Sequence, residues 1–259
     1  INSKMIKLII FIFLFLTAST QVNAREVGET EITTEDGIEV FQDDKYYLLK
    51  KNVQILSKNF NLNADTVKAY YDKDLYDIYY IFAEGNVRLN AEERGLSAKG
   101  QTLEFILEKE KIKVSGTNSE LILSEASMFS DGLVEIDNLG GSFLIKGRNS
   151  TLVSQDVTVT GEDISGEFST EEEINEIIKL IVKDKNISNI KTENIDMYSL
   201  KAIYDKKNEN IELMDNVKVL RGNEIIIGDY GFVDIAKNSY KVSSNDSSKV
   251  KVLISQDNE

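Results

Sequence analysis

Apolar and polar residues alternate along most of this chain, in short runs that end at polar turns. The stretch "KNVQILSKNFNLNADTVKAYY", residues 51–71, shows both features, because a polar Ser-Lys-Asn break separates two alternating runs. A period of two residues is typical of a β-strand that buries one face. The pattern therefore predicts an all-β protein of short strands joined by turns.

The same pattern recurs at a nearly fixed spacing. With Asn52, Asn86 and Asn216 as position zero, apolar residues stand at plus one, plus three and plus ten, and a small residue stands at plus twelve. The members are Val53, Ile55, Leu62 and Ala64, then Val87, Leu89, Leu96 and Ala98, then Val217, Val219, Ile226 and Gly228. A small side chain on a buried face leaves room for another backbone or a bulky ligand. These residues are therefore the candidates for a face that lines a binding groove.

Fainter copies of the repeat start at Asn118, Asn149 and Asn186, which gives a period of 30 to 37 residues. The Asn149 copy competes with "QDVTVTGEDISG" a few residues later, which fits the strand pattern better. A regular period of this length indicates stacked units that cannot bury their apolar faces alone. We therefore expect an elongated, mostly antiparallel body that is open at both ends unless it is capped.

Four segments combine two apolar runs with a central polar turn, which is a hairpin signal. They are "AYYDKDLYDIYY", "FILEKEKIKV", "AIYDKKNENIEL" and "VDIAKNSYKV". None contains Asn-Gly, so turns of four or more residues are expected.

Residues 169–186, "STEEEINEIIKLIVKDKN", allow two interpretations. Ser169 and Glu172 form a capping-box pattern, and isoleucines follow at helical spacing. However, the run 178–182 is β-branched and precedes Asn186 as the run 78–82 precedes Asn86. We favour a strand here, with the glutamates of 171–173 in a solvated turn.

Residues 1–24 have the features of an export signal. Lys4 and Lys7 precede an unbroken apolar run over residues 8–16, and small residues stand at Val22-Asn23-Ala24. We predict cleavage after Ala24 and export to the periplasm, with a retained inner-membrane anchor as the alternative. Removal of two lysines and no acid changes the net charge from −14 to −16.

Composition excludes several functions. A net charge of −14 is unsuited to binding nucleic acid, whose phosphates need Lys and Arg. The chain has no His and no Cys, so neither a thiolate metal site nor a His- or Cys-based nucleophile arrangement can be built, and we predict no cofactor and no enzyme activity. The acid pairs Asp43-Asp44 and Glu92-Glu93 fall in predicted turns and are expected to be solvated, with catalytic carboxylates or a Ca²⁺ site as the alternatives. The tyrosines at 70, 71, 76, 79 and 80 are expected to pack across strands, with sugar stacking as the alternative.

Two segments carry a resemblance to a known family. "AEGNVRLNAEERGLSAKG", residues 83–100, and "LMDNVKVLRGNEIIIGDYGFVDIAKN", residues 213–238, resemble the repeats of the OstA/LptA family of periplasmic lipopolysaccharide-bridge proteins. Ala64-Asp65 and Gly228-Asp229 match the family's pair of a small residue and Asp, whereas Ala98-Lys99 departs from it. The resemblance covers residues 30–110 and 186–242 well and is weaker over 115–185, so residues 25–250 would form one OstA-like domain. That domain could comprise two OstA-like halves, 30–115 and 186–245, joined by a divergent middle, 116–185.

The resemblance implies a β-jellyroll with a half-open groove between two antiparallel sheets, in which lipopolysaccharide acyl chains lie. It also implies pairing of β edges with an LptC-like inner-membrane partner and an LptD-like outer-membrane partner, or with further copies in a head-to-tail homo-oligomer. Two alternatives stay open. One is a membrane-tethered LptC-like subunit of the same pathway, and the other is a polysaccharide-active enzyme on a β-solenoid.

Overall fold

The computed structural model describes residues 30–73, 77–155, 157–170, 176–245 and 248–255. The export signal predicted for residues 1–24 lies outside them. The described residues form an all-β fold in which the strand pairings are antiparallel, as the alternation predicted. The strands are β1 (Glu31–Thr33), β2 (Ile38–Phe41), β3 (Tyr46–Leu56), β4 (Asn61–Tyr71), β5 (Ile78–Ala91), β6 (Leu96–Ile106), β7 (Lys111–Ser115), β8 (Ser119–Ile122), β9 (Ala126–Ser130), β10 (Leu133–Asp137), β11 (Ser142–Lys146), β12 (Thr151–Ser154), β13 (Val157–Thr160), β14 (Asp163–Phe168), β15 (Ile177–Lys191), β16 (Asp196–Asp205), β17 (Asn210–Arg221), β18 (Glu224–Asp234), β19 (Ser239–Ser243) and β20 (Lys251–Ile254). The long strands pair with their neighbours in the chain, whereas short strands in the middle also pair with more distant ones, as β7 does with β10 and β9 with β12.

The long strands bend in the middle, so that one continuous ladder folds into two facing sheets. In the pairing of β3 with β4, for example, the register shifts between Lys50 and Val53. Equivalent shifts occur in the pairings of β5 with β6, β15 with β16, and β17 with β18. Sheet I contains residues 31–33, 53–56, 61–64, 87–91, 96–100, 119–122, 126–130, 151–154, 157–160, 188–191, 196–199, 217–221, 224–228 and 251–254. Sheet II contains residues 38–41, 46–50, 66–71, 78–84, 102–106, 111–115, 133–137, 142–146, 163–168, 177–183, 201–205, 210–214, 230–234 and 239–243.

The repeated asparagines mark the corner, which is the line of residues where the chain passes from one sheet to the other. Asn52, Asn86, Asn118, Asn149 and Asn216 all have a left-handed backbone, with φ between 48° and 58°. Asparagine tolerates this conformation better than most residues because its short polar side chain can bond locally. The Asn149 copy, left open by the sequence, is therefore a true corner. Asn186 is different, since its N–H donates to the Asp184 carboxylate and its φ is not positive.

In the middle of the chain the corner is built by a Gly-x-Asn-Ser motif. It occurs as Gly116 to Ser119 and again as Gly147 to Ser150. In both copies the serine hydroxyl donates to the glycine carbonyl at 2.8 Å, and both serines are buried. The two buried hydroxyls of Ser130 and Ser150 also lie 3.0 Å apart. These bonds satisfy polar groups that the corner takes out of water.

The hairpin turns lie on the side opposite the corner, where they form the mouth between the sheets. All four predicted hairpins are present, at β4–β5, β6–β7, β16–β17 and β18–β19. The three whose turns lie wholly in described residues have four-residue turns that end in a left-handed residue: Glu110, Glu209 and Asn238. Residues 177–191 are a strand, so the strand interpretation of this segment is confirmed over the described residues, and the glutamates of 171–173 lie outside them.

Inward-facing residues of both sheets form one apolar core. Leu49, Val67 and Leu103 of sheet II and Val53 and Leu62 of sheet I are at most 1% exposed. Since each strand alternates inward apolar with outward polar residues, neither sheet could be stable in water alone.

Candidate functional site

An apolar cleft opens between the two sheets in the second half of the chain. Its volume is about 380 Å³, within the range of pockets that hold a drug-sized ligand. Its walls come from β12, β13, β15 and β16 in sheet I and from β15 to β18 in sheet II.

Each wall of the cleft is a row of side chains that face each other across neighbouring strands. In sheet I the register aligns Leu152, Val159, Ile190 and Met197, and we call this set row I. In sheet II it aligns Leu180, Tyr204, Ile211 and Val233, which we call row II. All the members of both rows line the cleft. Because the antiparallel register places the inward apolar residues of neighbouring strands side by side, these residues form two continuous apolar walls.

The deepest side chains are closed to solvent and the outer ones are not. Each member of row I is at most 2% exposed, whereas Tyr204 and Val233 of row II are half-buried. Burial raises the pKa of the Tyr204 phenol above its ordinary value, and a phenol is in any case neutral near pH 7. The walls thus offer a long apolar contact with a neutral hydroxyl towards the mouth.

Carboxylates stand at the rim of the cleft. Glu125, Glu176 and Asp234 line it, and no Lys or Arg does so among the described residues. Two of these acids are paired with lysines that lie outside the lining: Glu176 with Lys206, and Asp234 with Lys237 at 2.8 Å. Both lysines keep substantial solvent exposure, so these ion pairs add little to stability. The rim gives no direct cationic partner for a phosphate, so affinity for an amphiphile must come from the apolar walls.

The residues predicted from the repeat all lie in sheet I, and Val219 continues row I because it pairs with Met197. Val53, Ile55, Leu62, Ala64, Val87, Leu89, Leu96, Ala98, Val217 and Val219 are at most 8% exposed. Gly228 is also buried, and Ile226 is half-buried. None of them lines the 380 Å³ cleft that the described residues form. The structure thus gathers them on one inward face, but a different set forms the open space.

The small residues of the repeat do not all hold the same position. Ala64 pairs with Val53 and Gly228 pairs with Val217, but Ala98 pairs with Leu89. In the second copy it is Gly100 that faces Val87, because β5 runs to Ala91 before a four-residue turn that contains the 3₁₀ turn Glu92–Arg94. The prediction that Ala98 is equivalent to Ala64 and Gly228 is therefore wrong, because the equivalent residue, Gly100, lies two positions later.

The space beside the small residues is occupied by the protein itself. A Cβ on Gly228 would lie 2.6 Å from Val242 Cγ1 and from the Ser243 carbonyl oxygen, and a Cβ on Gly100 would overlap Val114. Of the two occupants that the sequence allowed, a neighbouring strand or a ligand, the neighbouring strand fills the space at both glycines.

Sequence reasoning missed rows I and II because none of their members stands at the plus-one, plus-three or plus-ten positions of the three clear repeats, and three of the eight, Leu152, Val159 and Leu180, lie in the weakly repeating region. A signal was available in the alternation of "TLVS", residues 151–154, and "VTVT", residues 157–160, which places Leu152 and Val159 on one face. The pairing of that face with row II could not be read from either strand alone.

Cross-strand packing is confirmed for Tyr70, Tyr71 and Tyr80 of the predicted cluster. The rings of Tyr46, Tyr70 and Tyr80 form a row on the outer face of sheet II, with centroids 5.4 and 5.5 Å apart. Tyr71 instead points inward against Tyr47, and Tyr79 is 43% exposed. Tyr76 lies outside the described residues.

The ionisation of Tyr80 is expected to make the stability of the protein depend on pH. Burial, together with the Glu104 carboxylate, raises the pKa of Tyr80 to about 12 from a usual value of 10.0. A raised pKa means that the neutral phenol is favoured by folding, so the stabilisation is complete below about pH 10 and is lost as the pH rises through about 12. In an alkaline absorbance titration we expect wild type, but not Tyr80→Phe, to show one phenol that ionises near pH 12. Ionisation of the Tyr80 phenol near pH 10 in the folded protein would contradict this.

The acid pairs have the solvated positions that the sequence predicted. Asp43, Asp44, Glu92 and Glu93 are exposed in hairpin turns. Over the described residues, no helix is both long and apolar enough to cross a membrane.

Comparisons with known proteins show similarity to solved structures. No protein-family model and no curated protein matches the chain. Among solved structures, LptH of Pseudomonas aeruginosa, the LptA homologous periplasmic component of a lipopolysaccharide transport device, aligns with 88% of this chain and 96% of its own. The identity is 10% and the TM-score is 0.23. A similarity of this size supports no conclusion about function, so the proposal below rests on the cleft and the repeats.

Proposed function

We propose that this chain is a periplasmic carrier that holds acyl chains of lipopolysaccharide between its two sheets. The observation that carries the proposal is the cleft, in which rows I and II present two apolar walls from opposite sheets. The resemblance of residues 83–100 and 213–238 to OstA/LptA repeats supports the choice of lipid.

The energetics of the cleft favour an acyl chain over a charged ligand. Burial of a methylene group contributes about 0.8 kcal/mol, so about ten methylenes contribute about 8 kcal/mol before the costs of association. The carboxylates at the rim would repel a phosphate that entered with the chain. The acyl chain therefore lies between the sheets, while the phosphorylated sugar stays in water at the mouth.

The ends of the ladder supply the surfaces for partners. Within the described part of the chain, β1 and β2 pair only with β3, and β19 and β20 pair only with β18. Apolar side chains are exposed at both ends, with Ile38 and Val40 about half exposed and Ile254 73% exposed. An open edge of this kind can accept another strand. We propose that these edges pair with LptC-like and LptD-like partners or with further copies of the chain.

The proposal is tested by photocrosslinking from two tyrosines of the same strand. Tyr204 of β16 faces the cleft, whereas Tyr198 of the same strand lies on the outer face, where Lys218 Nζ is 5.5 Å from its ring centroid. With a benzophenone amino acid at each position in cells, we expect lipopolysaccharide to be trapped at position 204 and not at 198. Absence of trapping at 204, or equal trapping at both positions, would refute the carrier function.

A further inference from the structure

The mouth between the sheets is closed in the first half of the chain by two aromatic rings. Phe60 lies in the turn between β3 and β4 at the edge of sheet I, and Phe105 lies on β6 in sheet II. Their ring centroids are 5.7 Å apart and their planes meet at 74°. This is the edge-to-face arrangement that aromatic pairs prefer. Because the rings belong to opposite sheets, the contact joins the two sides of the mouth.

The other ring contacts among the described residues do not cross between the sheets. Phe41 stacks on Tyr46 at 4.5 Å, and both belong to sheet II, as do the remaining pairs. The Phe60–Phe105 pair therefore differs from the rest in its position and not only in its geometry.

Solvent exposure at the mouth also differs between the first and the second half of the chain. Phe105 is 8% exposed and Leu123, at the edge of sheet I, is 6% exposed. Ile235, which lines the cleft at the mouth of the second half, is 44% exposed. At these residues the mouth of the first half is less exposed to solvent than that of the second half, and Phe60 itself is half-buried.

We infer that Phe60 and Phe105 form a gate that confines an acyl chain to the second half of the protein until the two rings separate. The inference rests on the proposed function, since it concerns the path of the same ligand. With the gate closed, the ligand contacts rows I and II. With the gate open, the chain also reaches the inward face of the first half, where Val87 and Leu89 lie.

The corner allows this opening without loss of its own bonds. Asn52 Nδ2 donates to Glu35 Oε1 at 2.8 Å, and Asn86 Nδ2 donates to Asp65 Oδ2 at 2.9 Å. These contacts lie at the edge of the sheets opposite the mouth. Separation of the rings therefore requires the sheets to part at the mouth only, with the corner as the hinge.

The test maps where a photoreactive fatty acid binds. The purified mature chain is incubated with diazirine-bearing palmitic acid, illuminated and digested, and the labelled residues are identified by mass spectrometry. The variants are Phe60→Ala and the milder Phe105→Leu, and Phe41→Ala serves as a control that removes an aromatic contact within sheet II. Melting curves establish that each variant used is folded.

We expect wild type and Phe41→Ala to be labelled at rows I and II and scarcely within residues 47–105. In Phe60→Ala or Phe105→Leu, labelling within 47–105 relative to the cleft should rise by up to about tenfold, the population change that about 1.4 kcal/mol produces. Equal labelling of 47–105 in wild type and folded gate variants would overturn the gate and leave the carrier function intact. Absence of label in the cleft of wild type would overturn both.

Discussion

Phe in place of Val159 is expected to block the capture of an acyl chain while the free energy of unfolding changes little. Val159 is the centre of row I and lines a cleft of about 380 Å³, so a larger ring has space to enter. Filling an existing cavity is usually neutral or stabilising, by about 0.5–2 kcal/mol. The added ring would occupy the volume in which the ligand lies, so labelling of the cleft by the photoreactive fatty acid should fall at least about tenfold.

The matched control is Ala98→Phe, a comparable enlargement of an inward residue in the first half. Ala98 is 4% exposed and pairs with Leu89, and it does not line the cleft. Overpacking there should cost about 1–3 kcal/mol of stability and leave the labelling of the cleft unchanged. Urea unfolding and fatty-acid labelling are measured on both variants. If Ala98→Phe blocked labelling while Val159→Phe did not, the acyl path would follow the repeat columns and not rows I and II.

Strands and hairpins could be predicted from the sequence because each depends on local chemistry. The turn "EKEK", residues 108–111, is polar between apolar runs, and the chain reverses there in the structure. The fixed spacing of asparagine identified the repeat, and the structure shows that these asparagines form the corner, where their left-handed backbone is better tolerated than that of most residues. Such local features can be recognised from a few neighbouring residues, without knowledge of the rest of the fold.

The position of the cleft could not be predicted because it depends on the distance between two sheets. Val87 and Val159 are equally good inward strand residues in the sequence, and both are at most 2% exposed. They differ in what faces them: the first half closes at Phe60 and Phe105, whereas the second half leaves space between rows I and II. A two-residue shift in the second repeat further displaced Ala98 from its predicted role. The spacing of the repeat therefore identified the inward face of sheet I but not the part of that face that lines the cleft.

The corner motif is expected to be the most sensitive part of the fold. Gly147 has a φ of +128°, which side chains rarely allow. A Cβ there would lie 2.9 Å from both the Gly132 nitrogen and Ser130 Oγ. Ser130 Oγ in turn donates to the Lys146 carbonyl at 2.7 Å and lies 3.0 Å from Ser150 Oγ. A substitution at Gly147 would therefore strain the backbone and also displace a buried hydroxyl that other corner residues need.

Gly147→Val should accordingly destabilise the protein by about 2–6 kcal/mol, the sum of about 1–3 kcal/mol of backbone strain and about 1–3 kcal/mol of overpacking. Gly222→Ala is the control, because Gly222 also has a positive φ, +55°, but nothing lies within 4 Å of its added Cβ. Only the left-handed strain remains there, at about 1–2 kcal/mol. Urea unfolding of the two variants measures the difference. If Gly147→Val cost no more than Gly222→Ala, the close packing around Gly147 would not contribute to the stability of this corner.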